Sequence, residues 1–329
     1  MERENILVTG GAGYIGSHIV RDLYLKGYNP IVFDNLCTGN RANVLHGEFI
    51  LGDIKNSELV AQTIGQYKIK SVIHFAASIV VEESVSQPLK YYENNSVNAF
   101  KLVRTCIENG IEHFVFSSTA AVYGIPDTIP VAETAPMNPI NPYGKSKVVT
   151  EMLLKDVSTA HTGFNYIALR YFNVAGADSL ARIGQDYKKP THLMTLALRT
   201  VLGDYPELKI FGTDYKTPDG TAIRDYIHID DLSTAHLLAL DYLKKEKKSR
   251  VFNCGYGTGR SVSEVISVTR DVTGVDFKAV PCSRRAGDPP ELVADSRLIQ
   301  EELGWKPQFN DLHYIIKTAW EWEKKLKER

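Results

Sequence analysis

No stretch of this chain stays apolar for the ~18 residues that a membrane-spanning helix needs, so such a helix is not expected. An excess of one charge is missing too. The 38 Lys and Arg face 39 Asp and Glu, a net charge of −1, which gives no basic patch for nucleic acid. Cysteine is scarce, and Cys37, Cys106, Cys254 and Cys282 form no Cys-x-x-Cys pair and no metal-ligand spacing. Neither a disulfide framework nor a metal site is therefore expected, and the thiols read as reduced and packed. There is no internal repeat and no low-complexity tract. A strand-like Ile6-Leu-Val-Thr-Gly10 begins almost at once, leaving no room for the charged and apolar regions of a signal peptide. A cytoplasmic location is the expectation that follows.

What is present is a length of 329 residues with 43% hydrophobic and 23% charged content. That is enough for a large domain and a smaller one. The first half alternates Val/Ile-rich runs at 5–9, 29–33, 48–51, 71–75, 113–117 and 165–170 with amphipathic stretches near 14–26, 57–67, 91–109 and 143–159. This predicts a Rossmann-type α/β fold, a doubly wound parallel sheet covered on both faces. Ligands of such sheets gather beyond the carboxyl ends of the strands. Past residue 173, Gly and Pro punctuate the chain and the pattern loosens. We expect a domain over 1–174 and a smaller mixed α/β substrate-binding domain over 175–329. Segment 224–247, a strand-like 224–231 and a helical 232–243, is expected to return to the first. The charged stretch 317–329 reads as a solvated amphipathic helix.

Directly after the first strand, Thr9-Gly-Gly-Ala-Gly-Tyr-Ile-Gly16 spaces Gly10, Gly13 and Gly16 as Gly-x-x-Gly-x-x-Gly and opens a helix. Glycine permits a tight turn and lets a pyrophosphate approach backbone N–H groups at a positive helix end. Eighteen residues past Gly16, Asp34 ends the second strand. A carboxylate there accepts from ribose hydroxyls and repels the extra phosphate of NADP, so NAD is favoured. Asp53 and Ile54 after the third strand, and Phe75, Ala76 and Ala77 after the fourth, fit the adenine and pyrophosphate sides of the same ligand.

The second motif is Tyr143-Gly-Lys-Ser-Lys147. A phenol and an ammonium four residues apart share one helix face. A phenol is a poor base near neutral pH, with a reference pKa of about 10. A cation beside it, from Lys147 and from an oxidised nicotinamide, favours phenolate. Thr119, in Ser117-Ser-Thr-Ala-Ala-Val-Tyr-Gly124, offers a hydroxyl to the same substrate oxygen. Together these residues suit proton removal from a carbinol whose hydride goes to NAD.

These motifs, together with Glu83-Ser-Val85, 88–95, 169–173, Phe211-Gly-Thr-Asp-Tyr215, 224–228 and 285–288, resemble the extended short-chain dehydrogenase/reductase family and, within it, the UDP-glucose 4-epimerases. The resemblance covers nearly the whole chain. It implies further NAD contacts at Tyr14, Ile15, Asn35, Leu36, Cys37, Thr38, Gly39, Asn94 and Phe172, beside Tyr143 and Lys147. It implies a UDP-sugar held by Asn173, Leu193, Phe211, Arg224, Tyr226, Arg285, Asp288 and Leu292, with Thr119 and Tyr143 at the sugar. Arg224 and Arg285 would grip the diphosphate, Asp288 the uridine ribose. The implied activity is NAD-dependent 4-epimerisation of a UDP-hexose, UDP-galactose to UDP-glucose, through a 4-keto intermediate, in nucleotide-sugar and galactose metabolism. A homodimer pairing 91–109 and 148–159 is also implied.

The chain departs from that family at Ile79, where several members carry lysine, and at His192, where asparagine is common. Its loop 181–190 is short and divergent. Leu292 occupies the position facing the sugar, which leaves an N-acetylhexosamine or a pentose open as the substrate. A 4,6-dehydratase would need an acid–base pair after Thr119, where Ala120 and Ala121 stand. A non-catalytic NAD-sensing module need not keep Thr119, Tyr143 and Lys147 together.

Overall fold

Strands that are apolar on both faces have to be covered on both, and helices joining parallel neighbours do so. The computed structural model describes residues 3–285 and 287–328. Its first half runs β1 (Asn5–Thr9), α1 (Tyr14–Leu25), β2 (Asn29–Asp34), β3 (Glu48–Leu51), α2 (Ser57–Gln66), β4 (Ser71–His74), α3 (Val81–Ser86), α4 (Pro88–Tyr91), α5 (Asn98–Glu108), β5 (His113–Ser117), α6 (Pro142–Ala160) and β6 (Asn165–Tyr171). The second half adds β7 (Asn173–Ala175), α7 (Leu193–Val201), β8 (Leu208–Phe211), β9 (Ile223–His228), α8 (Ile229–Glu246), β10 (Arg250–Cys254) and β11 (Gly259–Ser261). It closes with α9 (Val262–Thr273), β12 (Ala279–Cys282), β13 (Glu291–Leu292), α10 (Arg297–Leu303) and α11 (Leu312–Lys327).

Among the described residues the main sheet has seven parallel strands in the order β3-β2-β1-β4-β5-β6-β10. Successive residues of β1 face opposite layers. Ile6 and Val8 pack with Val20 and Leu23 of α1 and with Leu232 and Leu240 of α8. Leu7 packs with Val60 of α2, Leu102 of α5 and Leu154 of α6. The fold is the Rossmann-type doubly wound α/β fold that the alternation predicts. Register brings the carboxyl ends level: Thr9 pairs with Phe33 and His74, His74 with Phe116, and Ser117 with Leu169. The chain direction across the sheet reverses between β1 and β4, the switch point where a crevice opens.

Four elements depart from the sequence reading. The stretch 91–109 is not one α-helix: a π-helical turn, Tyr92–Val97, separates α4 from α5. Such a turn admits an extra residue, which hydrophobic spacing does not register. It lets Asn95 bond back to Ser78 and across to Ser146 Oγ while Asn94 Nδ2 donates to Ser78 Oγ. The strand-like 224–231 ends at His228 and pairs with β11, β13 and β7 in a separate small sheet. The helix after it packs on the main sheet, and β10, unforeseen from the sequence, adds the seventh strand beside β6. The C-terminal helix begins at Leu312 and buries Ile315, Ile316 and Trp322, so it is a core helix with a charged outer side; Arg329, the end of the expected helix, lies outside the described residues.

Candidate active site

The glycine segment is built by close backbone approach. Gly10 has φ +72°, and a Cβ there would stand 2.6 Å from Ala76 N, so the turn closes against the β4 end only with glycine. Gly16 lies against the Gly10 carbonyl, and a Cβ there would also meet Gly11 Cα at 2.8 Å. Gly13 stands at the N-cap of helix α1, which therefore has no side-chain cap, and no acidic residue lies in its first turn. Its leading N–H groups are therefore left for a ligand.

Asp34 ends β2 at the same edge. Its Oδ2 accepts from Ala12 N at 2.9 Å and its Oδ1 from Leu36 N at 2.8 Å, which leaves each oxygen a further lone pair. Burial pushes this carboxyl up, while the two backbone hydrogen bonds pull it down. Gly10, Gly13, Gly16 and Asp34 line one cavity of about 720 Å³, with Tyr14, Ile15, Asn35, Cys37, Thr38, Asp53, Ile54, Phe75, Ala76, Ala77, Asn94 and Phe172. Three expected cofactor residues stand behind this wall. Leu36 packs into the core, and Gly39 sits against Ala12, where its missing Cβ lets the 37–40 turn close. Lys147 is buried, and its Nζ donates to the Ser117 carbonyl at 2.8 Å.

Tyr143 and Thr119 line the middle of the same cavity. Asn141 caps α6 by accepting from Gly144 N at 2.8 Å, and Pro142 opens the helix, so Tyr143 is held in the first turn. Its ring meets Tyr91 edge-on at 6.4 Å. Thr119 accepts from Ala121 N at 3.2 Å. Burial pushes the Tyr143 phenol up, and its hydrogen bond with Thr119 opposes this. Burial pushes Lys147 down to about 7, opposed by the charge of Glu151. The expected electrostatic pairing of Tyr143 with Lys147 is thus not the dominant influence on either group; desolvation is.

At the far end, β8, β9 and β13 bring together residues distant in sequence. Arg224 lies across from Leu292 in the β9/β13 pair, and its guanidinium bonds to Asp288 and to the Ile223 carbonyl. The Arg285 guanidinium lies 3.9 Å over the Phe211 ring. Asn173, Leu193 and Tyr226 join these residues in the cavity lining. Ile79 and His192 line it as well, and so does Tyr187 from the divergent loop. The Tyr187 ring stacks on His192 at 5.9 Å. No periodicity in 181–190 signals Tyr187; its place follows from packing against the main core.

The wall has the shape and donors of a dinucleotide site: glycines where a Cβ would clash, a free helix start and a carboxylate at the second strand end. A parallel sheet opening this crevice onto a Tyr/Thr pair defines an NAD-dependent enzyme of the Rossmann class. Residues 6–255 match the model of the NAD dependent epimerase/dehydratase family, and the chain belongs to that family. It is 48% identical over 324 residues to a UDP-glucose 4-epimerase of Azospirillum brasilense, covering 98% of this chain and 93% of that one. A UDP-glucose-4-epimerase structure from Stenotrophomonas maltophila, with bound NAD and formylated UDP-arabinopyranose, superposes with TM-score 0.96 at 37% identity and 99% coverage of both chains. The UDP-Glc/GlcNAc 4-epimerase of Campylobacter jejuni superposes with TM-score 0.86 at 47% identity, over 98% of this chain and 99% of that one.

Proposed function

We propose that the chain is an NAD-dependent UDP-glucose 4-epimerase. The observation that carries this reading is the continuity of one cavity from the glycine loop, past Tyr143 and Thr119, to Arg224, Arg285 and Phe211. A hydride acceptor and a nucleoside diphosphate would then meet at a phenol. NAD, when bound, supplies the two-electron acceptor and donor for the sugar C4. The chain's residues hold it and move one proton: the Tyr143 oxygen takes it from the sugar 4-hydroxyl and later returns it, with Thr119 bonded to the same oxygen. Inversion requires the 4-keto sugar to present both faces. A grip concentrated on the diphosphate, through the planar forks of Arg224 and Arg285, with Asp288 at the ribose and Phe211 at the base, leaves the hexose free to turn.

Incubation with UDP-galactose and no added reductant should yield UDP-glucose. NAD-loaded protein that leaves UDP-galactose unchanged refutes the proposal. Leu292, buried at the cavity wall and packed beside Phe172, favours a second substrate. A position facing the sugar without a bulky aromatic suits a UDP-N-acetylhexosamine, and UDP-GlcNAc and a UDP-pentose belong in the same assay.

For quaternary structure we propose a homodimer through the end of the π-helical turn, α5 and α6. Val97, Phe100, Val149 and Met152 are exposed there at 49%, 47%, 45% and 56%, an apolar strip that a second copy would cover. Sedimentation at micromolar concentration should give twice the chain mass. The four cysteines, none paired with another, suit a reducing compartment, and a cytoplasmic location is proposed on that ground.

A further inference from the structure

The proton-transfer residues ride on two elements, the start of α6 and the end of β5. What joins those elements is a buried polar cluster that does not line the cavity. Glu151, one turn beyond Lys147 on α6, is 4% exposed. Its carboxylate accepts from Ser118 Oγ. Ser118 stands between Ser117, whose carbonyl holds Lys147, and Thr119. Arg170 of β6 clasps the same carboxylate through Nε at 3.0 Å and Nη2 at 2.6 Å. Its Nη1 donates to Tyr123 Oη at 3.0 Å, and that hydroxyl donates to Asn253 of β10 at 2.6 Å.

As a device for stability alone this arrangement is hard to justify, because a buried ion pair is often matched or bettered by apolar residues of the same volume. Its placement offers another reason. We propose that Glu151 is a positioning residue of the active site, its carboxylate fixing the Tyr143/Lys147 helix to the Ser117–Thr119 strand end and keeping a negative charge one turn from Lys147. What is positioned rests on the epimerase reading; the cluster itself does not.

The surroundings of Lys147 make Glu151 the charge that matters. From β4 it is faced by His74, which burial and the lysine hold neutral, with its pKa down to about 3. From β5 come the Phe116 ring at 4.9 Å and the Ser117 carbonyl. Arg170 of β6 is spent on Glu151, and α6 itself supplies Tyr143 and Glu151. Burial drives Lys147 toward the neutral amine, and Glu151 opposes it.

Glu151→Gln keeps the shape and an accepting oxygen but removes the charge. In NAD-loaded protein carrying ε-13C-lysine, with Lys147 assigned through Lys147→Met, the Lys147 titration midpoint should fall by about one pH unit. The alkaline limb of kcat should fall with it while KM stays within about twofold. Ser118→Ala, which leaves the Arg170 pair intact, should lower kcat by about fivefold or more at unchanged KM, the mark of misplacement rather than lost binding. If unpaired Arg170 prevents the first variant from folding, Glu151→Gln/Arg170→Met carries the same titration. A folded variant with the wild-type Lys147 midpoint, or Ser118→Ala with wild-type kcat, overturns the proposal. The midpoint needs no turnover, so a wild type unable to interconvert UDP-sugars refutes the function and leaves the midpoint to judge Glu151.

Discussion

Tyr143→Phe removes one oxygen and little else. The ring keeps its edge-on contact with Tyr91, and Thr119, which loses the phenol as a partner, keeps its bond from Ala121 N and lines the same cavity. The hydroxyl lines a cavity rather than a packed core, and its loss should alter folding stability by under about 1 kcal/mol. The effect on catalysis is of another size. A positioned acid–base group contributes roughly 10²–10⁴-fold, or about 3–5 kcal/mol of barrier. Burial already pushes this phenol up, so a cation brought beside it, as an oxidised nicotinamide would be, favours the phenolate that the reaction needs. The variant should therefore retain NAD, released and counted after denaturation, and melt close to the wild type. Its conversion of UDP-galactose to UDP-glucose should drop at least about a hundredfold. A phenylalanine variant within tenfold of wild type, with NAD still bound, would refute the assignment of Tyr143 as base.

Three further outcomes follow from the geometry. Alanine normally favours a helix over glycine by about 1 kcal/mol, but Gly16→Ala should destabilise and weaken NAD binding by at least about tenfold, because its Cβ meets backbone that cannot yield; higher stability with intact NAD binding would contradict the close approach. Arg285→Ala should raise KM for UDP-sugars well above any change in kcat, read from steady-state kinetics, since the contact proposed for it is to the non-reacting diphosphate. Asp225, fully buried, accepts from Tyr256 N, Gly257 N and Ala294 N, and burial pushes its carboxyl up to about 6 from 3.8. The folded state binds that proton more tightly, so its stabilisation is complete below about pH 4 and is lost as pH rises through about 6. Denaturant melts should show the wild type losing on the order of 2 kcal/mol over that window relative to Asp225→Asn; parallel pH curves would refute it.

Much of the site could be read because its parts are local. The glycine spacing, Asp34 at a strand end, and Tyr143 with Lys147 one turn on are short-range patterns that a parallel sheet turns into a common edge. The Glu151 cluster had a local trace as well, since 143, 147 and 151 repeat every four residues on α6. Its meaning depended on Arg170 and Ser118, which reach it only through packing. The π-helical turn at Tyr92–Val97 left no periodic mark, and β10 is a short run separated from its neighbour β6 by 78 residues of chain.

By itself the sequence determined the alternating strands and helices, the glycine-rich loop and the placing of Tyr143 and Lys147 one turn apart on a helix, because each depends on residues within a turn or two of one another. Only the tertiary structure decided that desolvation outweighs the mutual influence of Tyr143 and Lys147, that Lys147 lies behind the wall held by Ser117, and that one buried carboxylate ties both elements together. Burial and long-range partners set those properties, and neither is a function of position along the chain.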